Sequence, residues 1–184
     1  MRVLAISGSL RRDSQNTMLL RAAAEQLSPG VELVLWDGLR DVPPYDQDDD
    51  VEPAPAAVAA LRTAVAEADA VLIATPEYNS SVPGALKNAL DWASRPIATN
   101  VFRNKPVAVI GSSAGVFGAV WAQAELRKVL AAMGARVAEV ELAVGRASEK
   151  FDADGRLLDE EIRRELADVV ATLLGEVAPV LAAA

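Results

Sequence analysis

Five short apolar runs, each followed by a stretch with helical spacing, constrain the fold of this chain more than any other feature of its sequence. One run, Ala70–Ala74, is apolar throughout, which is typical of a parallel strand covered on both faces. This alternation predicts an α/β protein in which helices cover both sides of a five-stranded parallel sheet, a three-layer α/β/α arrangement. The predicted strands are Arg2–Ile6, Val31–Trp36, Ala70–Ala74, Val107–Ile110 and Arg136–Leu142, and the predicted helices are Ser14–Leu27, Ala56–Ala68, Ala85–Ala93, Ala119–Met133 and Leu158–Leu174.

No internal repeat divides the sequence, so we expect a single domain over residues 1–184. The three alanines that close the chain are expected to fray. The sequence contains no stretch typical of a signal peptide and no apolar run long enough to cross a membrane. We therefore expect a soluble cytoplasmic protein without a membrane partner.

Composition excludes several classes of function. The formal net charge of −8 argues against a nucleic-acid partner, because binding a polyanion requires a basic face. The chain contains no cysteine and no histidine, so thiolate nucleophiles, disulfides and the commonest general base are absent. An acid run, Asp46–Asp50, could be imagined as a metal site, but its spacing does not match a calcium loop, and we expect a solvated loop and no metal.

The loop between the first strand and the first helix has the character of an anion site. Ser9, Ser14 and Asn16 supply polar side chains, Arg11 and Arg12 supply positive charge, and the first N–H groups of a helix lack intrahelical partners. The spacing matches neither the Walker A pattern nor the dinucleotide pattern G-x-G-x-x-G. An ordinary turn with Ser14 or Asn16 as the helix N-cap is the alternative.

Two further loops are rich in functional side chains, and they follow the third and fourth predicted strands. They are Thr75–Gly84 and Gly111–Gly118. In a sheet of strand order 2-1-3-4-5, the first and third strands are neighbours at the point where the order reverses, and ligands bind at the carboxyl ends of the strands there. Three loops that are distant in sequence are therefore expected to meet at one crevice.

These motifs together resemble the NADPH-dependent FMN reductase family, whose fold is flavodoxin-like and which includes quinone, chromate and azo-dye reductases. The stretches that carry the resemblance are Gly8–Arg11 with Ser14 and Asn16, Pro76–Asn79, Ser81–Gly84, Leu86–Trp92 and Gly111–Gly118. The resemblance implies FMN as the cofactor and NADPH or NADH as the co-substrate. It implies a ping-pong transfer of hydride from NADPH through FMN to a small acceptor: a quinone, an azo compound, a metal oxyanion or free flavin.

The same resemblance implies which residues contact FMN and names none as catalytic. The phosphate is expected at Ser9, Arg11, Ser14, Gln15 (through its backbone) and Asn16; the ribityl chain and ring are expected at Pro76, Glu77, Tyr78 and Asn79, with Ser113 and Gly115 on the other side of the ring. Two departures stand out: Asp13 lies in the phosphate loop where a small residue is common, and Gly118–Ala119 replaces a frequent Gly-Gly. Trp92 is expected to pack in the core or at a subunit interface.

A hydride transfer between nicotinamide and flavin requires stacking and orientation, which is compatible with a chain that lacks histidine and cysteine. The alternative function is a flavodoxin-type FMN electron carrier, a role that suits an acidic protein. A nucleotide-binding regulator without redox activity is a third possibility. The resemblance also implies a homodimer or homotetramer, with the helices after Pro83 and Gly118 as contact surfaces; it leaves the acceptor and the oligomer open.

Overall fold

The computed structural model describes the backbone of residues 1–182 and the side chains of residues 1–177. Within this range the strands and helices alternate along the chain. They are β1 (Arg2–Ser7), α1 (Gln15–Ala24), β2 (Glu32–Trp36), α2 (Ala56–Glu67), β3 (Ala70–Thr75), α3 (Gly84–Ala93), β4 (Pro106–Ser112), α4 (Val120–Ala132), β5 (Arg136–Val137), β6 (Ala143–Val144) and α5 (Glu160–Ala182). Of the alanine end expected to fray, Ala182 closes α5, and Ala183 and Ala184 lie outside the described residues.

The sheet has the strand order β2-β1-β3-β4-β5, and every pair of neighbouring strands is parallel. The predicted α/β/α fold and strand order are therefore confirmed. In register, Ile6 of β1 lies beside Ile73 of β3, and Ala74 of β3 lies beside Ile110 of β4. The carboxyl ends of these three strands consequently meet at one edge of the sheet.

The predicted fifth strand, Arg136–Leu142, is wrong as one continuous element. The structure contains two short strands there, β5 and β6, which pair with the beginning and the end of β4. Between them the chain leaves the ladder in a tight turn, in which the Val140 N–H donates to the Ala138 carbonyl at 2.9 Å. Arg127 of α4 donates to the Val140 carbonyl at 2.9 Å, so this group is satisfied outside the sheet.

The last helix also differs from the prediction, which ended it at Leu174. Helix α5 continues through Gly175 to Ala182. Its buried apolar stripe extends in the same way, because Leu173 and Val177 are both almost fully buried against the sheet. Packing of this stripe outweighs the modest helix-breaking tendency of a single glycine.

Two apolar layers enclose the sheet. Alternate residues of β3 point to opposite faces: Ile73 belongs to the layer beneath α2, α3 and α4, and Leu72 belongs to the layer beneath α1 and α5. Both residues are fully buried. This arrangement explains why the central strands are apolar on both faces.

Trp92 lies in the core, as predicted, and is fully buried. Its indole Nε1–H donates to the Pro43 carbonyl at 2.9 Å, and its ring meets Tyr45 edge-on at 4.9 Å between centroids. Asn88 donates to the same Pro43 carbonyl and accepts from the Tyr45 N–H. The long loop after β2 is therefore fastened to α3. Its acid run contributes one ion pair, Asp50 with Arg62 at 2.9 Å.

We predict that Leu72→Ala lowers the free energy of unfolding by about 2–5 kcal/mol, because it opens a cavity beneath the central strand. Leu158→Ala serves as the matched control, since the Leu158 side chain is 57% exposed and its loss is expected to change stability by less than about 0.5 kcal/mol. Urea unfolding followed by circular dichroism measures both. Equal destabilisation of the two variants would contradict the packing described here.

Candidate functional site

A cavity of about 370 Å³ lies at the carboxyl ends of β1, β3 and β4. It is lined by Ser9, Arg11, Ser14, Gln15, Asn16, Pro76, Glu77, Tyr78, Ser112, Ser113, Ala114 and Gly115. Every predicted site residue except Asn79 lies in this crevice. Two further lining residues, Ser112 and Ala114, are not among the predicted contacts, although both belong to the Gly111–Gly118 loop. A wider cavity of about 680 Å³ beside the Asp50–Arg62 ion pair contains none of the predicted residues.

The loop before α1 forms the polar end of the crevice. Ser14 is the N-cap of α1, and its hydroxyl accepts from the Thr17 N–H at 3.3 Å. Ser14 can cap the helix while the same loop binds an anion, because the first N–H groups of the helix, at Gln15 and Asn16, still lack intrahelical partners. The Ser9 hydroxyl accepts from the Arg11 N–H at 3.3 Å, which shapes the preceding turn. Donors and positive charge thus collect at one helix start, where the helix dipole favours an anion.

Asn16 joins the first loop to the third. Its buried side-chain amide accepts from the Ser112 N–H at 2.9 Å and donates to the Ser112 carbonyl at 3.0 Å. Both amide atoms are therefore engaged with the end of β4. Asn16 lines the crevice as predicted, but in this structure it acts as a bridge between two of the loops.

The hydroxyl of Ser112 is buried and has no hydrogen-bond partner among the described residues. An unpartnered buried hydroxyl is costly unless a ligand or water satisfies it. Because Ser112 lines the crevice, this oxygen fits a ligand with polar groups along its length. A phosphorylated cofactor with a polar chain meets that requirement.

The second loop begins with a tight two-residue hairpin. Tyr78 and Ser81 exchange backbone hydrogen bonds of 3.2 and 3.1 Å, and the two residues between them, Asn79 and Ser80, have φ angles of 53° and 58°. These angles are typical of a type I′ turn, in which asparagine is favoured. Asn79 therefore occupies the turn tip, which explains why it does not line the crevice while Tyr78 does.

Two glutamates fasten this second loop to α4. The Glu77 carboxylate accepts from the Trp121 and Ala122 N–H groups at 3.0 and 3.1 Å and so caps the start of α4. The Glu125 carboxylate accepts from the Ser81 hydroxyl at 2.6 Å and from the Val82 N–H at 3.2 Å. These hydrogen bonds, first that from Ser81, lower the pKa of Glu125. Its contribution to stability is accordingly present above the ordinary pKa of glutamate and is lost as the pH falls through the lowered value.

The third loop is held from the side of β6. The Gly115 carbonyl accepts from the Arg146 N–H at 2.8 Å, and the Ser113 carbonyl accepts from the Ala147 N–H at 3.0 Å. A Cβ at Gly118 would lie 2.3 Å from the Ala143 carbonyl carbon, so this close approach requires glycine. Ala119 follows with a φ of 65°, a left-handed conformation that explains why a second glycine is suitable there.

Asp13, which stands in the first loop where a small residue is common, does not disturb the crevice. Asp13 is exposed and is not among the residues that line the cavity. Its carboxylate remains in water, where its interaction with an anion in the crevice is screened. In the part of the chain that the structure describes, no cluster of three acidic side chains could hold a metal ion, and no helix is both long and apolar enough to cross a membrane.

The chain matches one protein family over most of its length. Residues 1–149 match the family described as NADPH-dependent FMN reductase. The chain is 44% identical over 163 residues to an NAD(P)H-dependent FMN reductase of Pseudomonas aeruginosa, covering 88% of this chain and 87% of that one. It is 40% identical over 167 residues to a 2-hydroxy-1,4-benzoquinone reductase of a Burkholderia species, covering 90% of each.

A solved structure is similar over nearly the whole fold. The flavoenzyme NAD(P)H:(acceptor) oxidoreductase FerB of Paracoccus denitrificans superposes with a TM-score of 0.87 at 36% identity, covering 97% of both chains.

We predict that Asn16→Ala destabilises the protein by about 1–3 kcal/mol, because the Ser112 N–H and carbonyl then lose their buried partner. Gln15→Ala is the neighbouring control, since the Gln15 side chain makes no hydrogen bond among the described residues, and a change below about 0.5 kcal/mol is expected. Thermal unfolding monitored by circular dichroism distinguishes the two. If both variants unfold like the parent, Asn16 is not the bridge proposed here.

Proposed function

This chain belongs to the NADPH-dependent FMN reductase family, and from that premise we propose that the crevice described above is where its FMN binds. The protein is an FMN-dependent NAD(P)H oxidoreductase. The observation that carries the assignment of the site is the convergence of three loops, distant in sequence, on one cavity with a cationic, donor-rich end. A flat cofactor with a terminal phosphate matches that shape and polarity.

We propose that the phosphate of FMN lies at the start of α1. Arg11 supplies a full positive charge, Ser9 and Ser14 supply hydroxyl groups, and the backbone N–H groups of Gln15 and Asn16 point from the helix start. The Asn16 side chain contributes by holding Ser112 in place, and the unpartnered Ser112 hydroxyl is available to the ribityl chain.

The ring would lie between the second and third loops. Pro76, Glu77 and Tyr78 border one side, and Ser113 and Gly115 border the other. Asn79 supports this arrangement as the turn residue of the hairpin. The Glu77 and Glu125 attachments to α4 keep the second loop in place before the cofactor arrives, which reduces the entropy lost on binding.

When held in the crevice, FMN would supply the redox chemistry of the reaction, in which two electrons pass from NAD(P)H to an acceptor. The residues around the cofactor need only orient the flavin and nicotinamide rings and stabilise charge on the flavin, because hydride transfer requires no protein nucleophile. That demand is compatible with a chain without cysteine or histidine. We propose a quinone as the acceptor, since the Burkholderia relative at 40% identity is named as a 2-hydroxy-1,4-benzoquinone reductase.

We also propose that the enzyme is a cytoplasmic homodimer or homotetramer, in which a second copy covers the start of α4. Phe117 and Trp121 are 62% and 49% exposed and pack edge-on at 5.1 Å, next to the crevice. Exposed aromatic pairs of this kind are typical of protein interfaces. Light scattering of the parent and of Phe117→Glu tests this: the parent should be oligomeric and the variant should dissociate, whereas a monomeric parent would contradict the proposal.

The proposed reaction has a direct spectroscopic test. We predict that NADPH, added without oxygen to the FMN-loaded protein, removes the visible absorbance of oxidised flavin and that a quinone restores it. Parallel double-reciprocal plots are expected for a ping-pong cycle. Flavin that binds but is not reduced by NADPH would favour the electron-carrier alternative, and failure to bind FMN would contradict the proposed site.

We predict that Arg11→Ala weakens FMN binding roughly tenfold, because a charged hydrogen bond to the phosphate is lost. Asp13→Asn, on the same loop, is the matched control and should change the affinity less than about twofold, because exposed charges of this kind are screened. Titration of flavin fluorescence measures both. Equal effects of the two changes would place the phosphate elsewhere.

A further inference from the structure

Another cavity lies on the other side of the loop before α1. Its volume is about 240 Å³, and it is lined by Ser7, Ser9, Leu10, Arg11, Arg12, Thr17, Arg21, Leu35, Trp36, Asp37, Leu39 and Arg40. We call it the arginine pocket. Ser9 and Arg11 line both this pocket and the crevice, so the two cavities share a wall.

The arginine pocket concentrates positive charge in an acidic protein. Four of the 18 lysines and arginines line it, against a single carboxylate, Asp37, in a chain of net charge −8. All four arginines are exposed, and none forms an ion pair with another described residue. Arg40 also donates to the Leu10 carbonyl at 2.6 Å, which fastens the loop after β2 to the loop after β1. Guanidinium groups brought together without carboxylate partners are suited to a phosphate.

The remaining wall is suited to a nucleoside. Trp36, at the carboxyl end of β2, presents an indole that packs so closely on Gly38 that a Cβ there would lie 2.7 Å from its ring. The Ser7 and Thr17 hydroxyls, 2.9 Å apart, add polar groups to the floor. An aromatic side chain and several guanidinium groups together match adenine and a ribose phosphate.

We infer that the arginine pocket binds the adenosine 2′-phosphate end of NADPH. The inference rests on the proposed function, because it requires the nicotinamide end of the same molecule to lie over the ring in the crevice. The shared wall at Ser9 and Arg11 makes this continuity possible. The pocket accordingly discriminates NADPH from NADH, which differ by the 2′-phosphate alone.

Steady-state kinetics of the FMN-loaded enzyme with a quinone tests this inference. Arg12→Gln and Arg21→Gln are each expected to raise the KM for NADPH about tenfold, with kcat and the KM for NADH nearly unchanged. The Arg21 side chain makes no hydrogen bond among the described residues, so its loss should not disturb the fold. Arg164→Gln, an exposed arginine of α5 outside both cavities, is the control and should leave all constants unchanged.

The two proposals fail in different ways. A parent enzyme that oxidises neither nucleotide would overturn the proposed function. A parent enzyme that oxidises both, with Arg12→Gln and Arg21→Gln raising the KM for NADPH no more than that for NADH, would overturn the arginine pocket alone. The FMN bound per protein chain is measured in the parent and in each variant, so that only preparations with equal FMN content are compared.

Calorimetric titration supplies a readout independent of activity. Adenosine 2′,5′-bisphosphate should bind the FMN-loaded parent at least about tenfold more tightly than adenosine 5′-monophosphate, and Arg21→Gln should abolish the difference. If inorganic phosphate binds as tightly as the bisphosphate, the pocket is a simple anion site and the inference is overturned. Equal binding of the two nucleotides would overturn it as well.

Discussion

The parallel pairing of β1 with β3 is the constraint on which the rest of the structure depends. It places the carboxyl ends of two strands, about seventy residues apart, side by side, and the Gly8 N–H continues the ladder by donating to the Ala74 carbonyl at 2.8 Å. The chain must therefore leave both strands at the same edge of the sheet. Because β4 pairs with the other side of β3, its loop joins them there. The crevice is a consequence of this topology before any side chain is considered.

Hydrogen bonds between the loops then convert this meeting place into a site of defined shape. Asn16 ties the first loop to the third, and Glu77 and Glu125 tie the second loop to α4. None of these three side chains needs to react with substrate. They hold backbone groups and rings in position in advance, which is the main requirement of a protein whose cofactor performs the chemistry.

Positive charge is concentrated beside the loop before α1, although the protein as a whole is acidic. The protein carries a net charge of −8, yet arginines line the loop before α1 on both of its sides. The carboxylate nearest in sequence, Asp13, stays exposed, and Glu77 is occupied by the N–H groups of α4. A negative ligand consequently meets local donors and cations while the protein as a whole remains acidic. Long-range repulsion from the acidic surface is screened within about 10 Å at ordinary salt concentration.

The sequence by itself determined the fold class and the three loops of the crevice, because apolar periodicity and strand-end loops are local signals and a doubly wound parallel topology brings such loops together. It could not show the break in the strand predicted at Arg136–Leu142, since the tight turn there depends on Arg127 reaching across from α4. The sequence also could not show that Tyr78 lines the cavity while its neighbour Asn79 lies at the tip of a turn. Nor could it show that the Asn16 side-chain amide is hydrogen-bonded to the backbone of Ser112. The grouping of Arg12, Arg21 and Arg40 was likewise decided by tertiary structure alone, because residues on a loop, a helix and the next strand connection become neighbours only when β1 and β2 pair.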